Sequence, residues 1–77
     1  MTGTKTLSDL RPGQRAVVRH LGAAGDIRRR LQDIGLIQGT TVKCVGKSPL
    51  GDPVAYRIRG ATMALRRTDA SQVEVEL

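Results

Sequence analysis

Few residues of this 77-residue chain carry side chains that could act as nucleophiles, bases or metal ligands. His20 is the single histidine and Cys44 is the single cysteine. A catalytic serine or cysteine needs an oriented base, and a structural zinc site needs about four cysteine or histidine ligands. We therefore expect no catalytic site and no bound cofactor. A metal ion would find only His20 and Cys44, which are weak candidate ligands.

One segment comes close to a phosphate-binding motif. Thr41–Ser48 reads TVKCVGKS, which differs by one residue from the pattern GxxxxGK[ST]. Thr41 stands where the first glycine is needed, and the motif also needs a helix that begins at its lysine. Pro49 follows Ser48 and disfavours helical angles there. We interpret Gly46–Ser48 as the end of a strand and not as a nucleotide-binding loop.

The net charge of +6 makes the type of partner the main functional question. A basic surface suits a nucleic acid, an anionic membrane or an acidic protein face. Small barrels that bind single-stranded nucleic acids combine a cationic groove with aromatic stacking platforms, and Tyr56 is the only aromatic residue here. We expect no nucleic-acid partner, although a nucleic-acid-binding small barrel is the main alternative. The cations that favour this alternative are Arg28–Arg30, Arg57, Arg59 and Arg66–Arg67.

The apolar pattern predicts a mainly β chain of about five short strands. Residues of the two faces alternate in three of the five predicted strands, which is typical of a sheet with one buried face. Turn residues separate the strands, and a small closed barrel would leave no exposed strand edges. The predicted strands are Gln14–Leu21, Val42–Val45, Val54–Arg59, Thr62–Leu65 and Val73–Leu77.

One short α-helix is predicted between the first and second of these strands. Asp26 can cap its first turn, and Gly35 suits the position just after its end, where φ is often positive. Ile27, Leu31 and Ile34 lie at positions i, i+4 and i+7 and therefore share one face. We expect this face to pack on the barrel.

Length and cysteine content limit the cellular context. Residues 1–77 are expected to form a single domain, with residues 1–6 frayed. The N-terminal residues lack the apolar stretch of a signal peptide, and no segment has the ~20 apolar residues that span a bilayer. A single cysteine also forms no internal disulfide. We expect a cytoplasmic protein.

Three sequence blocks, in this order, resemble the ferrous iron transport protein A (FeoA) family. The similarity runs from about Leu7 to Glu76. The blocks are LQDIGL at Leu31–Leu36 followed by Gly39, PLGDP at Pro49–Pro53, and ALRR at Ala64–Arg67 followed by Asp69-Ala70.

The resemblance implies an SH3-like barrel with one inserted helix. It also implies a non-catalytic accessory protein of bacterial ferrous iron uptake. Its partner would be ferrous iron transport protein B (FeoB), a membrane transporter whose cytosolic part carries a G-protein domain. The chain would then meet the membrane only through this partner. A protein that stimulates the GTPase of the G domain by supplying an arginine is a further alternative.

A binding face can be predicted from two segments. The first segment is a loop in which two prolines restrict the chain around a leucine, so that binding would order few additional groups. The second segment carries three successive arginines, which would attract an acidic partner. The sequence leaves open whether Leu50 is exposed for binding or closes one end of the barrel. The predicted residues are Pro49, Leu50, Gly51, Asp52 and Pro53 in the loop, with Arg28, Arg29 and Arg30 in the helix.

Overall fold

Six antiparallel strands form one sheet in the computed structural model, which describes residues 5–77. Their order in the sheet is β1-β6-β2-β3-β4-β5. The strands are β1 (Lys5–Thr6), β2 (Arg15–Leu21), β3 (Thr41–Lys47), β4 (Val54–Ile58), β5 (Ala61–Leu65) and β6 (Val73–Glu76). The five predicted strands are therefore present.

The additional strand β1 corrects one expectation. Lys5 and Thr6 were expected to be frayed, but they pair with Val75 and Glu74 of β6. The edge of β6 offers unpaired backbone N–H and C=O groups, and even two extended residues can pair with them. Residues 1–4, for which fraying was also predicted, lie outside the described residues.

The sheet curls around an aliphatic core. Val18, Val42, Tyr56 and Val73 come from four different strands, and all four are fully buried. The Tyr56 hydroxyl donates a 3.0 Å hydrogen bond to the carbonyl oxygen of Leu7, which directly follows β1. Because β1 and β4 lie near opposite ends of the strand order, this contact requires the sheet to curl into a barrel.

Two α-helices and one 3-10 turn lie between the strands of the described residues. They are the 3-10 turn Leu7–Asp9, α1 (Gly25–Asp33) between β2 and β3, and α2 (Arg67–Ala70) between β5 and β6. Asp26 does not cap α1, because Gly25, with a φ of 64°, already turns the chain from the extended Ala24 into the helix. Neither helix is long and apolar enough to cross a membrane.

The predicted buried face of α1 is correct for its second half. Leu31 is fully buried, and Ile34 is partly buried against the core. Ile27 is 36% exposed, so the expectation that it packs on the barrel was wrong. Only the end of the helix that leads into Leu36 lies against the core, and the first turn extends beyond it.

Gly35 ends α1 in the predicted conformation. Its φ is 104°, a value that side chains disfavour. A Cβ atom at Gly35 would lie 2.9 Å from Cδ of Arg59 and 3.1 Å from Cγ2 of Ile58. The missing side chain therefore leaves room for the aliphatic stem of Arg59. Arg59 itself has a φ of 51° in the two-residue turn that joins β4 to β5.

Candidate functional site

The short helix α2 connects the two segments of the predicted binding face. On one side, Nη2 of Arg30 in α1 lies 3.1 Å from Oδ2 of Asp69. On the other side, the backbone N–H of Arg67 donates a 2.9 Å hydrogen bond to Oδ1 of Asp52 in the loop. Arg67 and Asp69 are two residues apart in α2. We call the surface formed by α1, α2 and the Pro49–Pro53 loop the α2 face.

The Pro49–Pro53 loop holds Leu50 in solvent. The N–H of Gly51 donates to the carbonyl of Ser48 at 2.8 Å, and the N–H of Ser48 donates to the carbonyl of Pro53 at 3.2 Å. These bonds, with the Asp52 contact to α2, tie both ends of the loop. Leu50 is 93% exposed, so it does not close the end of the barrel. It is the most exposed large apolar side chain among the described residues.

A groove of about 330 Å³ lies between α1 and the β5–α2 segment. Apolar side chains and charged side chains both line it, and the charged ones include the Arg30–Asp69 ion pair. Its lining includes Ile34, Met63, Leu65, Arg30, Arg66 and Asp69. Sequence reasoning missed Met63 and did not connect Arg66 with α1. The only available signal was that Arg66 belongs to the third sequence block.

The three arginines of α1 do not act as one cluster. All three are exposed, but Nη1 of Arg28 donates a 3.2 Å hydrogen bond to the carbonyl of Leu21, and Arg30 pairs with Asp69. The side chain of Arg29 makes no hydrogen bond or ion pair within residues 5–77. It is therefore the arginine of α1 that is available to an acidic partner.

The two weak candidate metal ligands lie apart. Cys44 is fully buried in the core, where removal from water raises the pKa of its thiol, whereas His20 is exposed on β2. No three His, Cys, Asp or Glu side chains of residues 5–77 are placed to hold a metal ion together. The residues present do not fit a metal centre, and weak metal binding stays a prediction.

The structure offers little support for binding of a nucleic acid or a nucleotide. Tyr56, the only aromatic residue of the chain, is buried and unavailable for base stacking. Burial also raises the pKa of its hydroxyl to about 12. The near-motif at Thr41–Ser48 forms β3 and the residue after it, as expected from Pro49. Its glycine and lysine are thus part of a strand and do not wrap a phosphate.

A family model described as "FeoA domain" matches residues 5–77. The chain belongs to the FeoA family. One relative is the Fe(2+) transport protein A/Fe(2+) transporter FeoB fusion protein of Porphyromonas gingivalis (strain ATCC BAA-308 / W83), which is 42% identical over 71 residues. The match covers 92% of this chain and 8% of the relative, so the chain spans only a small part of that protein.

Solved FeoA structures share the fold. The FeoA protein of Chlorobium tepidum superposes with a TM-score of 0.88 at 37% identity, covering 95% of this chain and 70% of that one. Stenotrophomonas maltophilia FeoA superposes with a TM-score of 0.83 at 33% identity, covering 94% of this chain and 89% of that one. The latter was crystallised with zinc and described as a procaryotic SH3 domain protein. These matches confirm the resemblance and the SH3-like barrel with its inserted helix.

Proposed function

We propose that this FeoA-family chain is a non-catalytic accessory protein of ferrous iron uptake that binds and regulates the transporter FeoB. The P. gingivalis fusion protein carries this proposal, because a domain 42% identical to the chain is there part of one polypeptide with the transporter. Covalent linkage keeps two domains at a high effective concentration, which benefits domains that act on each other.

The α2 face is the surface that we assign to this contact. Leu50 is fully available for burial in a partner's pocket, and the loop that carries it is tied at both ends. An apolar anchor on an ordered loop binds with little loss of conformational entropy. Burying a leucine side chain contributes about 2 kcal/mol, which corresponds to roughly a thirtyfold change in Kd.

Arg29 supplies the electrostatic part of the proposed contact. It projects from α1 without a partner among the described residues, while Arg30 is held by α2. Exposed charges at the rim of an interface mainly raise the association rate, and salt screens their effect. We therefore expect an acidic surface on the cytosolic part of FeoB opposite α1.

Binding to the purified cytosolic region of FeoB tests the proposal. Leu50→Ala is expected to raise Kd about thirtyfold through faster dissociation. Ile37→Ala is the matched control, since Ile37 is also exposed but precedes β3, and the loop follows β3. The seven residues of β3 separate the two sites by roughly 20 Å.

A second pair of variants tests the charge. Arg29→Ala is expected to slow association, with a deficit that shrinks as salt rises. Arg11 is also exposed, and its substitution by alanine should leave association unchanged. Wild-type affinity in both Leu50→Ala and Arg29→Ala would contradict the assignment of the α2 face. An increase in GTP hydrolysis by FeoB that disappears in Arg29→Ala would instead support the GTPase-stimulating alternative.

A further inference from the structure

A row of positive charges crosses the outer face of the sheet. Arg15 of β2 lies opposite Lys43 of β3, and Lys43 lies opposite Arg57 of β4. Adjacent strands are about 4.8 Å apart, so the backbone positions of the three residues span roughly 10 Å. Neighbouring members of the three are thus closer together than the Debye screening length at physiological salt, which is about 8 Å. The three cations therefore repel one another.

Arg59 extends this row into a shallow depression of about 280 Å³. The depression is lined by Arg15, Thr41, Lys43, Arg57, Arg59 and Gly60, and none of these is acidic. The ion pairs found within residues 5–77 join Arg19 to Glu76 and Arg30 to Asp69, so no carboxylate neutralises the four cations. We call Arg15, Lys43, Arg57 and Arg59 the cationic row.

The placement of Arg59 is unfavourable for the turn but favourable for the row. Two-residue turns with positive φ at both positions favour Asn-Gly, and here the pair is Arg59-Gly60, with φ values of 51° and 87°. The stem of Arg59 packs over Gly35, which fixes the direction in which the side chain leaves the turn. Like charges opposite each other also destabilise a sheet. The positive φ of Arg59 and the facing like charges both lower stability at this surface, which points to a binding role.

The composition of the cationic row favours an extended phosphate surface over a protein or a single-stranded nucleic acid. The depression has no exposed aromatic or large aliphatic side chain that could serve as a protein hot spot or a stacking platform. Arginine and lysine side chains bind phosphate oxygens directly, and an anionic bilayer presents many phosphates in a plane without requiring an apolar anchor.

We propose that the cationic row is a contact site for the phosphate groups of an anionic membrane surface. This inference rests on the proposed function, because binding to a membrane transporter would hold the chain close to the bilayer. It also replaces the expectation that the chain reaches the membrane only through its partner. Each cation near an anionic bilayer raises the affinity for the membrane about fivefold, so that four cations give only a weak contact. This weak contact becomes effective when the chain is also bound to the transporter.

Vesicle binding of two charge-matched double variants tests the proposal. The probes are vesicles of phosphatidylcholine with phosphatidylglycerol and vesicles of phosphatidylcholine alone. Wild type is expected to bind only the anionic vesicles, and Lys43→Gln/Arg57→Gln should reduce this binding roughly thirtyfold. Arg28→Gln/Arg29→Gln removes the same charge from α1 and should reduce it much less. Equal losses in the two variants would mean that net charge alone drives binding and would overturn the proposal.

Two further measurements separate this proposal from the others. Lys43→Gln/Arg57→Gln should keep its affinity for the cytosolic region of FeoB and should melt at a higher temperature than wild type, because two facing like charges are removed. Failure of vesicle binding with retained FeoB binding would overturn only the membrane contact. Binding of duplex DNA or polyglutamate that depends on Lys43 and Arg57, without vesicle binding, would assign the row to that partner and overturn the proposal.

Discussion

The packing of Arg59 over Gly35 predicts a specific energetic coupling between the end of α1 and the β4–β5 turn. Gly35→Ala introduces a Cβ atom at a φ of 104° and at 2.9 Å from Cδ of Arg59. An alanine in the left-handed region costs about 1–2 kcal/mol. Crowding against Arg59 and Ile58 adds about 1 kcal/mol, since overpacked sites lose 1–3 kcal/mol. We expect Gly35→Ala to lower the free energy of unfolding by about 2–3 kcal/mol.

Urea denaturation of a double-mutant cycle separates the two contributions. Arg59→Ala removes Cγ and Cδ, the Arg59 atoms nearest to the added Cβ. In this background Gly35→Ala should retain the backbone cost and the contact with Ile58 but lose the clash with Arg59. The expected coupling is roughly 0.5–1 kcal/mol, measured as a change in midpoint at constant m-value. Equal effects of Gly35→Ala in both backgrounds would refute the packing of Arg59 over Gly35.

Three more predictions concern the core and the metal question. Leu31→Ala should lower the free energy of unfolding by about 2–5 kcal/mol because Leu31 is fully buried, whereas Ile27→Ala should lower it by less than about 1 kcal/mol. Equal melting temperatures of the two variants would contradict this prediction. Burial raises the pKa of Tyr56 from 10.0 to about 12, so the unfolded chain loses this proton first as pH rises. The free energy of unfolding should therefore fall by about 1.4 kcal/mol per pH unit between pH 10 and 12 on account of Tyr56, and comparison with Tyr56→Phe isolates that slope. Calorimetry should detect no stoichiometric, tight Fe(II) or Zn(II) site in the monomer; such a site, lost in His20→Ala, would identify the ligand that we discount.

Local patterns in the sequence were sufficient to predict five of the six strands and the end of α1. Alternation in Val54–Ile58 placed Val54, Tyr56 and Ile58 inside the barrel, and all three are buried. Gly35 was recognised because a positive φ after a helix favours glycine. Strand alternation and the glycine at a helix end depend on residues that are close in sequence, and the sequence alone is therefore enough to predict them.

Features that depend on tertiary placement could not be predicted in the same way. Ile27 shares the helical face of Leu31, but the pattern does not show where the barrel ends beneath α1. The link from Arg30 to Asp69 joins residues 39 positions apart. No local pattern specifies such a pair.

The cationic row was hidden for a related reason. Lys43 and Arg57 face each other only in the register that the irregularity between Cys44 and Gly46 permits in the β3–β4 pair. A shift of one residue would have moved these side chains to the other face of the sheet. The sequence shows the basic residues but not which of them become neighbours.

Chemical-shift mapping of the isotope-labelled chain during titration with the cytosolic region of FeoB tests the proposed contact most directly. The backbone N–H of Leu50, Gly51 and Asp52, together with those of α1 near Arg29, are expected to shift or broaden at the same FeoB concentrations. Signals of Lys43 and Arg57 on the outer face of the sheet should remain in place. Shifts confined to Lys43 and Arg57, or no shifts at saturating FeoB, would contradict binding through the α2 face.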